Sequence, residues 1–236
     1  GAGLPSALYA DLGYNLFNNE NFDLGINLFH HSANNNRNVE NQRFGYTNAG
    51  LDGTYYFEQG FAVNGALNYS RDVVHFYGYN DFNERNDTEI SFAKDDVLQR
   101  FSTFSGRAAI FNGERTEADF NYDASLDFYF MDDNYRARER GFNLEFGGTK
   151  WFEERHPLTL RIRTDFTTFK DTATQNLNNF FLMPSYTYHG DVFQARIGAN
   201  VASHEDEFSF FPDLELSANL IEGVLSAFVG ATGTLQ

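Results

Sequence analysis

Apolar and polar residues alternate with a period of two along almost the whole chain. In the run from Phe22 to Leu28, Phe22, Leu24, Ile26 and Leu28 are apolar, and Asp23, Gly25 and Asn27 lie between them. The clearest run is Thr116 to Phe130. One parity there carries Ala118, Phe120, Tyr122, Ala124, Leu126, Phe128 and Phe130; the other carries Glu117, Asp119, Asn121, Asp123, Ser125 and Asp127. Successive side chains of a strand point to opposite faces, so a strand sorts these residues and a helix does not. Twelve such segments are readable: 6–17, 22–31, 46–57, 61–70, 101–111, 115–130, 141–152, 158–169, 180–188, 192–202, 208–220 and 224–235. Most have about nine or more residues, enough for a tilted strand to cross a bilayer. Strands of soluble proteins average about five or six.

The two faces differ in kind. One is nearly all Leu, Ile, Val, Phe, Tyr, Ala and Gly, and includes Leu24, Ile26, Val63, Leu67, Phe120, Leu126, Leu144, Ile162, Ile197 and Leu214. The other is small, polar or charged. A lipid-facing wall around a polar lumen has this pattern. Short turns at 18–21, 58–60, 112–114, 153–157, 189–191 and 221–223 alternate with longer polar loops, as expected for antiparallel neighbours. Aromatics flank the short turns: Phe17 with Phe22, Phe57 with Phe61, Trp151 with Phe152, and Tyr188 with Phe193. They read as one interfacial girdle. The predicted fold class is all-β: an antiparallel up-and-down transmembrane β-barrel, one domain over 1–236, with about twelve strands visible. Pro5 and Pro212 suit strand starts; Pro184 sits mid-segment and predicts a bulge or a shorter strand.

Composition narrows this picture. The 236 residues contain no cysteine, which excludes disulfide scaffolds, thiol nucleophiles and Cys-based zinc sites. With 27 Phe and 13 Tyr, the chain is not a disordered acidic polypeptide despite a net charge of -16. The same charge argues against a nucleic-acid partner. Mean hydropathy is -0.48, and no run approaches the length of a transmembrane helix. Gly1 to Leu4 has neither the basic start nor the apolar core of a signal peptide.

Taken together, these segments and turns resemble Gram-negative outer-membrane β-barrels. Within that group the chain is most similar to a section of a large barrel, such as a TonB-dependent receptor or a Bacteroidota-type outer-membrane protein, although it shows no plug domain or TonB-box motif. The resemblance implies an outer-membrane location, contact with outer-membrane lipid, passage of solutes and no cofactor. If the short turns are periplasmic, both visible ends lie outside. Such barrels start and finish in the periplasm, so a barrel of 14 or more strands is expected, with a closed twelve-strand barrel as the alternative.

The lumen face supplies the first candidate site. Its acids are Asp11, Asp23, Asp52, Glu117, Asp119, Asp123, Asp127, Glu145, Asp165, Asp213 and Glu215; its bases are Arg107, Arg161, Arg163 and Arg196. That excess attracts cations into a water-filled interior. The bland reading is a solvated, mutually paired interior. A three-residue loop, Asn112-Gly113-Glu114, would set Arg107 opposite Asp119 and leave Asp123 and Asp127 to fix ion preference. The loop from Arg71 to Arg100 mixes aromatics and charge. It reads as a constriction, a cover or a partner surface, or else as a mobile loop.

His30-His31-Ser32 places His30 and Ser32 on the lipid-facing parity at the outer end of a strand. Outer-membrane phospholipases and lipid A deacylases resemble this, with an H-x-S pair at the barrel rim. No Asn or Glu supplies the third group; Asn41 and Arg43 are nearest. The acidic runs Asp132, Asp133, Asn134 and Glu205, Asp206, Glu207 offer oxygen ligands for calcium but lack EF-hand spacing. No zinc motif is present. The leading functional reading is passage of a small solute or cation, without enzymatic chemistry. The second is an accessory barrel with protein partners in a larger membrane complex. The third is a rim lipid hydrolase.

Overall fold

A computed structural model of the chain describes residues 1–3, 6–79, 91–204, 207–221 and 225–234. Among these residues thirteen strands follow one another in a single antiparallel sheet: β1 (Ala2–Gly3), β2 (Ala7–Asn18), β3 (Phe22–Asn34), β4 (Arg43–Tyr56), β5 (Phe61–His75), β6 (Leu98–Asn112), β7 (Phe120–Asp133), β8 (Arg138–Phe152), β9 (His156–Lys170), β10 (Thr174–His189), β11 (Phe193–His204), β12 (Glu207–Ile221) and β13 (Leu225–Thr232). Each pairs only with its sequence neighbours, in strand order, and among the described residues β1 and β13 remain open edges. The fold is therefore the all-β, up-and-down wall that the alternation predicts, with the sheet unclosed.

Register keeps the two parities on separate faces. Leu51, Leu67, Gly106, Phe128, Phe142 and Phe166 are successive partners across six strands. The sheet has almost no core. Among the described residues Ala62, Val97, Phe181 and Ala202 are the buried hydrophobics, whereas Ile197 is 65% exposed and Phe210 69%. The accessible surface is 16222 Å². A globular monomer of this mass would expose about 10,800 Å². The excess comes from a single sheet layer open on both faces, and its apolar face is left uncovered by any other part of the described residues.

Several strands run beyond the segments read from the sequence, because polar residues past the apolar band still pair their backbones. The 170–179 stretch is not a loop: Lys170 ends β9, Thr174 starts β10, and Thr174 pairs with Lys170. Long and short connections consequently do not alternate in the second half. The connection read as a short turn after residue 112 instead spans 113–119, while 35–42 and 76–97 are the long ones. Pro184 causes neither bulge nor early stop. The β10–β11 ladder skips Met183 and Pro184 and resumes in unchanged register, from Leu182↔Val201 to Ser185↔Gly198. Pro212 is not at a strand start: it is the sixth residue of β12, paired with Ala199, and is tolerated because it lies just past the ladder to β13, which begins at Asp213; Pro5 lies outside the described residues.

A bulge in β2 between Asn15 and Phe17 was not legible from the alternation. It turns Phe17 onto the apolar face opposite Leu24, where it meets Phe22 at 5.9 Å. The girdle continues through Phe22–Tyr55 (6.2 Å), Tyr55–Phe57 (4.7 Å) and Phe57–Phe61 (4.3 Å). Trp151 is the exception. It shares the polar parity of Asn121, to whose Oδ1 its indole N–H donates at 2.8 Å, and the Arg115 guanidinium lies over its ring.

Candidate functional site

The polar face carries a cross-strand row: Asp52, Ala66, Arg107, Asp127, Asn143, Asp165, Asn179 and His204 are successive partners from β4 to β11. His204 closes the row with a 2.7 Å hydrogen bond to Asn179. Side chains of β5 to β9, including Asn68, Ser105, Arg107, Asp127, Asn143 and Asp165, line a cavity of about 420 Å³ on this face.

The candidate charges sort into paired and unpaired sets. Arg107 meets Asp127 at 3.2 Å; the two are directly opposite. Arg161 bonds Glu145 and also reaches Asp123 at 3.3 Å. Arg196 holds Asp213 at 2.6 Å. Arg163 stands opposite Glu145 but lies 4.3 Å over the ring of buried Phe181 instead. Asp11, Asp23, Asp52, Asp165 and Glu215 share the polar parity and form no ion pair among the described residues.

Two predicted lumen residues are displaced. Glu117 and Asp119 lie in the turn before β7, where Asp119 adopts φ 52°. Arg107 therefore does not face Asp119. The turn is long because it docks on the next hairpin: Trp151 N–H donates to Asp119 O at 2.9 Å, Arg115 donates to Glu154 O at 2.8 Å, and Lys150 donates to Ala118 O.

Glycines shape the charged face at two points. A Cβ on Gly147 would overlap Asp123 Oδ1 and lie 2.8 Å from its Cγ; one on Gly141 would enter the Tyr129 ring, 2.5 Å from Cζ. These gaps let Asp123 and Tyr129 lie across β8. Tyr129 O–H then reaches Glu139 at 2.6 Å.

At the long-loop end, the polar face holds an aromatic group that the alternation obscured. Tyr9 packs edge-on to Phe29 (5.4 Å) and His31 (5.8 Å), His31 to Phe44 (5.0 Å), and Phe29 contacts Tyr46 (5.8 Å). The visible signal was the breakdown of alternation where these aromatics share the parity of Asp11 and Asp52. Nearby, Asn41 is 2% exposed and ties the 76–97 connection to the 35–42 loop, donating to Tyr79 Oη at 2.8 Å and Phe92 O at 3.1 Å. Residues 80–90 of that connection lie outside the described residues.

His30 and Ser32 do meet: Nε2 is 3.0 Å from Ser32 Oγ, and Nδ1 is 2.9 Å from Thr47 Oγ1. Thr47, not Asn41 or Arg43, fills the third position. A neutral hydroxyl orients an imidazole but cannot balance an imidazolium as a carboxylate does. In the acidic run, Asp132 pairs with Arg138 at 3.1 Å, and Asp133 Oδ1 accepts the Tyr135 and Ala137 amides at 2.8 Å, so the turn uses these oxygens. Glu205 and Asp206 lie outside the described residues.

No family model and no curated protein matches the chain. Among solved structures it is similar to the ferric enterobactin receptor PfeA (G324V mutant) of Pseudomonas aeruginosa, with TM-score 0.65 at 11% identity, covering 92% of this chain. The chain spans 39% of that receptor's length. The Pseudomonas putida toluene transporter TodX superposes with TM-score 0.38 at 10% identity, over 90% of this chain and 73% of its own, too remote to add weight. At these identities the likeness is one of fold: the chain has the fold of an outer-membrane barrel wall.

Proposed function

We propose that the chain forms part of the wall of an outer-membrane barrel that passes small, preferentially cationic solutes, in the manner of a porin or a receptor-type barrel, without covalent chemistry. The observation that carries this reading is the single charged face with unpaired carboxylates. Asp52 and Asp165 stand in one cross-strand row, while Arg107, Arg161 and Arg196 neutralise their neighbours. Unpaired acids facing water raise the local cation concentration. Ion preference therefore falls to Asp52 and Asp165, not to Asp123 and Asp127. Reversal potentials of the full chain in planar bilayers under a salt gradient test this. Asp165→Asn and Asp52→Asn should each lower cation preference more than Asp127→Asn. Equal effects from all three would refute the assignment.

The open edges favour a second reading, an accessory wall completed by further strands of a membrane complex. Unpaired β13 backbone at the end of a thirteen-strand sheet is a template for another strand. A folded, membrane-inserted chain that never conducts would support it.

A further inference from the structure

A pocket of about 320 Å³ opens at the long-loop end of β3, β4 and β5. It lies largely on the apolar face. His30, Thr47 and Arg71 form one cross-strand row on the parity of Ile26, Leu51 and Leu67. That row stands four residues, about 13 Å, beyond the Leu51–Leu67 pair. The apolar band therefore ends at a ring of polar groups.

The chemistry of this lining is opposite to that of the chain. Arg43, Arg71 and Lys94 line the pocket with His75, and among the described residues no carboxylate does, in a protein with 33 acids and 17 bases. None of these three cations has an acidic partner within ion-pair distance among the described residues. Asp95 adjoins Lys94 in sequence but does not line the pocket, and Asp72 takes the opposite parity. Arg43 spends one nitrogen on Asn36 (2.9 Å) and Asn41 (3.1 Å); its buried Nε has no partner among the described residues. His75 is 5% exposed; the Arg43 backbone lies beside its ring, and no side chain among the described residues bonds either ring nitrogen. Ser32 and Thr47 add hydroxyls already held by His30.

We propose that this pocket binds the phosphate of an anionic membrane lipid. The proposal rests on the reading of the apolar face as lipid-facing. Three cations without an acidic partner match a phosphoryl group, and arginine binds it through more than one N–H. The apolar band directly adjoining it offers a surface for the acyl chains, which a free anion would not use. Elsewhere the net charge of -16 repels anions, so only such a local cluster holds one.

The test inserts the full chain into nanodiscs of phosphatidylcholine mixed with phosphatidylglycerol, then extracts it with detergent and weighs the retained lipid by native mass spectrometry. The unmodified chain should retain phosphatidylglycerol above its bulk share. Arg71→Gln should lower that retention about fivefold, as expected for one cation at a membrane surface. The triple change Arg43→Gln, Arg71→Gln, Lys94→Gln should return it to the bulk ratio; if that variant does not insert, Arg71→Gln alone is read. A control removing Arg136, Arg140 and Lys170, cations at the same end but away from the pocket, should lower retention less than Arg71→Gln alone does. Equal loss in both triple variants, no enrichment in the unmodified chain, or full displacement by inorganic phosphate overturns the proposal, the last assigning a free-anion site. Failure of the unmodified chain to insert at all overturns the lipid-facing reading itself.

Discussion

Gly147→Ala probes how the charged face is built. Asp123, Gly147 and Arg161 are successive partners on β7, β8 and β9. Strands two apart are separated by about 9.6 Å. The 3.3 Å Asp123–Arg161 contact therefore exists only because Gly147 presents no side chain between them. An alanine methyl would overlap the carboxylate and swing Asp123 away. The ion pair is partly exposed, at 41% and 43%, so its loss costs about 0.2–1 kcal/mol after solvent screening. Forcing Asp123 off its rotamer adds about 0.5–1.5 kcal/mol. Against this, replacing glycine within a strand gains about 0.5–1 kcal/mol. The single variant should therefore differ little from the parent, and a double-mutant cycle is the informative measurement. In an Asp123→Ala background only the gain remains, so the cycle should show coupling of about 0.7–2.5 kcal/mol. Urea titration of the membrane-inserted chain, followed by the fluorescence of Trp151 or by gel mobility, gives each corner of the cycle. Coupling within the usual additivity error of about 0.5 kcal/mol would show that Asp123 does not lie across Gly147.

Arginine at Leu126 or Ile197 should cost roughly 2–4 kcal/mol near the midplane, while Asn68→Arg on the polar face should be tolerated; similar folding yields in lipid vesicles would contradict the assignment of faces. Ser32→Ala should leave fatty-acid release from phospholipid vesicles unchanged, because Thr47 cannot balance a charged His30; release that depends on Ser32 would restore the hydrolase reading. Asn41→Ala should loosen the 76–97 connection by removing the bonds to Tyr79 and Phe92, seen as faster proteolysis within that connection while the strands stay intact; unchanged cleavage would mean that Asn41 does not hold it.

The strands and their faces were legible because two unlike surroundings meet one sheet, so every second residue reports its side. What period two cannot report is where pairing stops. At 170–179 the residues are mostly polar on both parities, Ala173 and Leu177 apart, yet Gln175 and Asn176 still pair with Phe169 and Thr168, since an unpaired backbone near apolar surroundings costs more than a short turn. The β2 bulge was hidden for the opposite reason. Leu16 and Phe17 are both apolar, and only the register shift decides which of them meets Leu24. The aromatics Tyr9, Phe29, His31, Phe44 and Tyr46 broke the pattern on the polar parity, which blurred the ends of the early strands and concealed a cluster beside the long loops.

The β6–β7 hairpin shows how one turn controls the chemistry of the face. Alternation runs unbroken from Thr116 into β7, so the pattern alone allows a three-residue loop. A seven-residue connection, 113–119, preserves the same odd parity. What selects it is polar: Asn112 donates to Glu114 O (2.6 Å) and Phe120 O (3.0 Å) and accepts from Tyr122 N–H (2.7 Å), while Asp119 takes a positive φ and its carbonyl accepts the Trp151 amide. Parity survives this change, so the inward set on β7 remains inward. Register does not, and Arg107 moves from Asp119 to Asp127. Asp127 is thereby neutralised, Asp123 turns to Arg161 through the Gly147 gap, and the unpaired acids left in the cross-strand row are Asp52 and Asp165. Face depends on parity, which a sequence pattern carries. Which carboxylate stays free depends on register, and that is set by side-chain bonds in a turn whose pattern looks like strand.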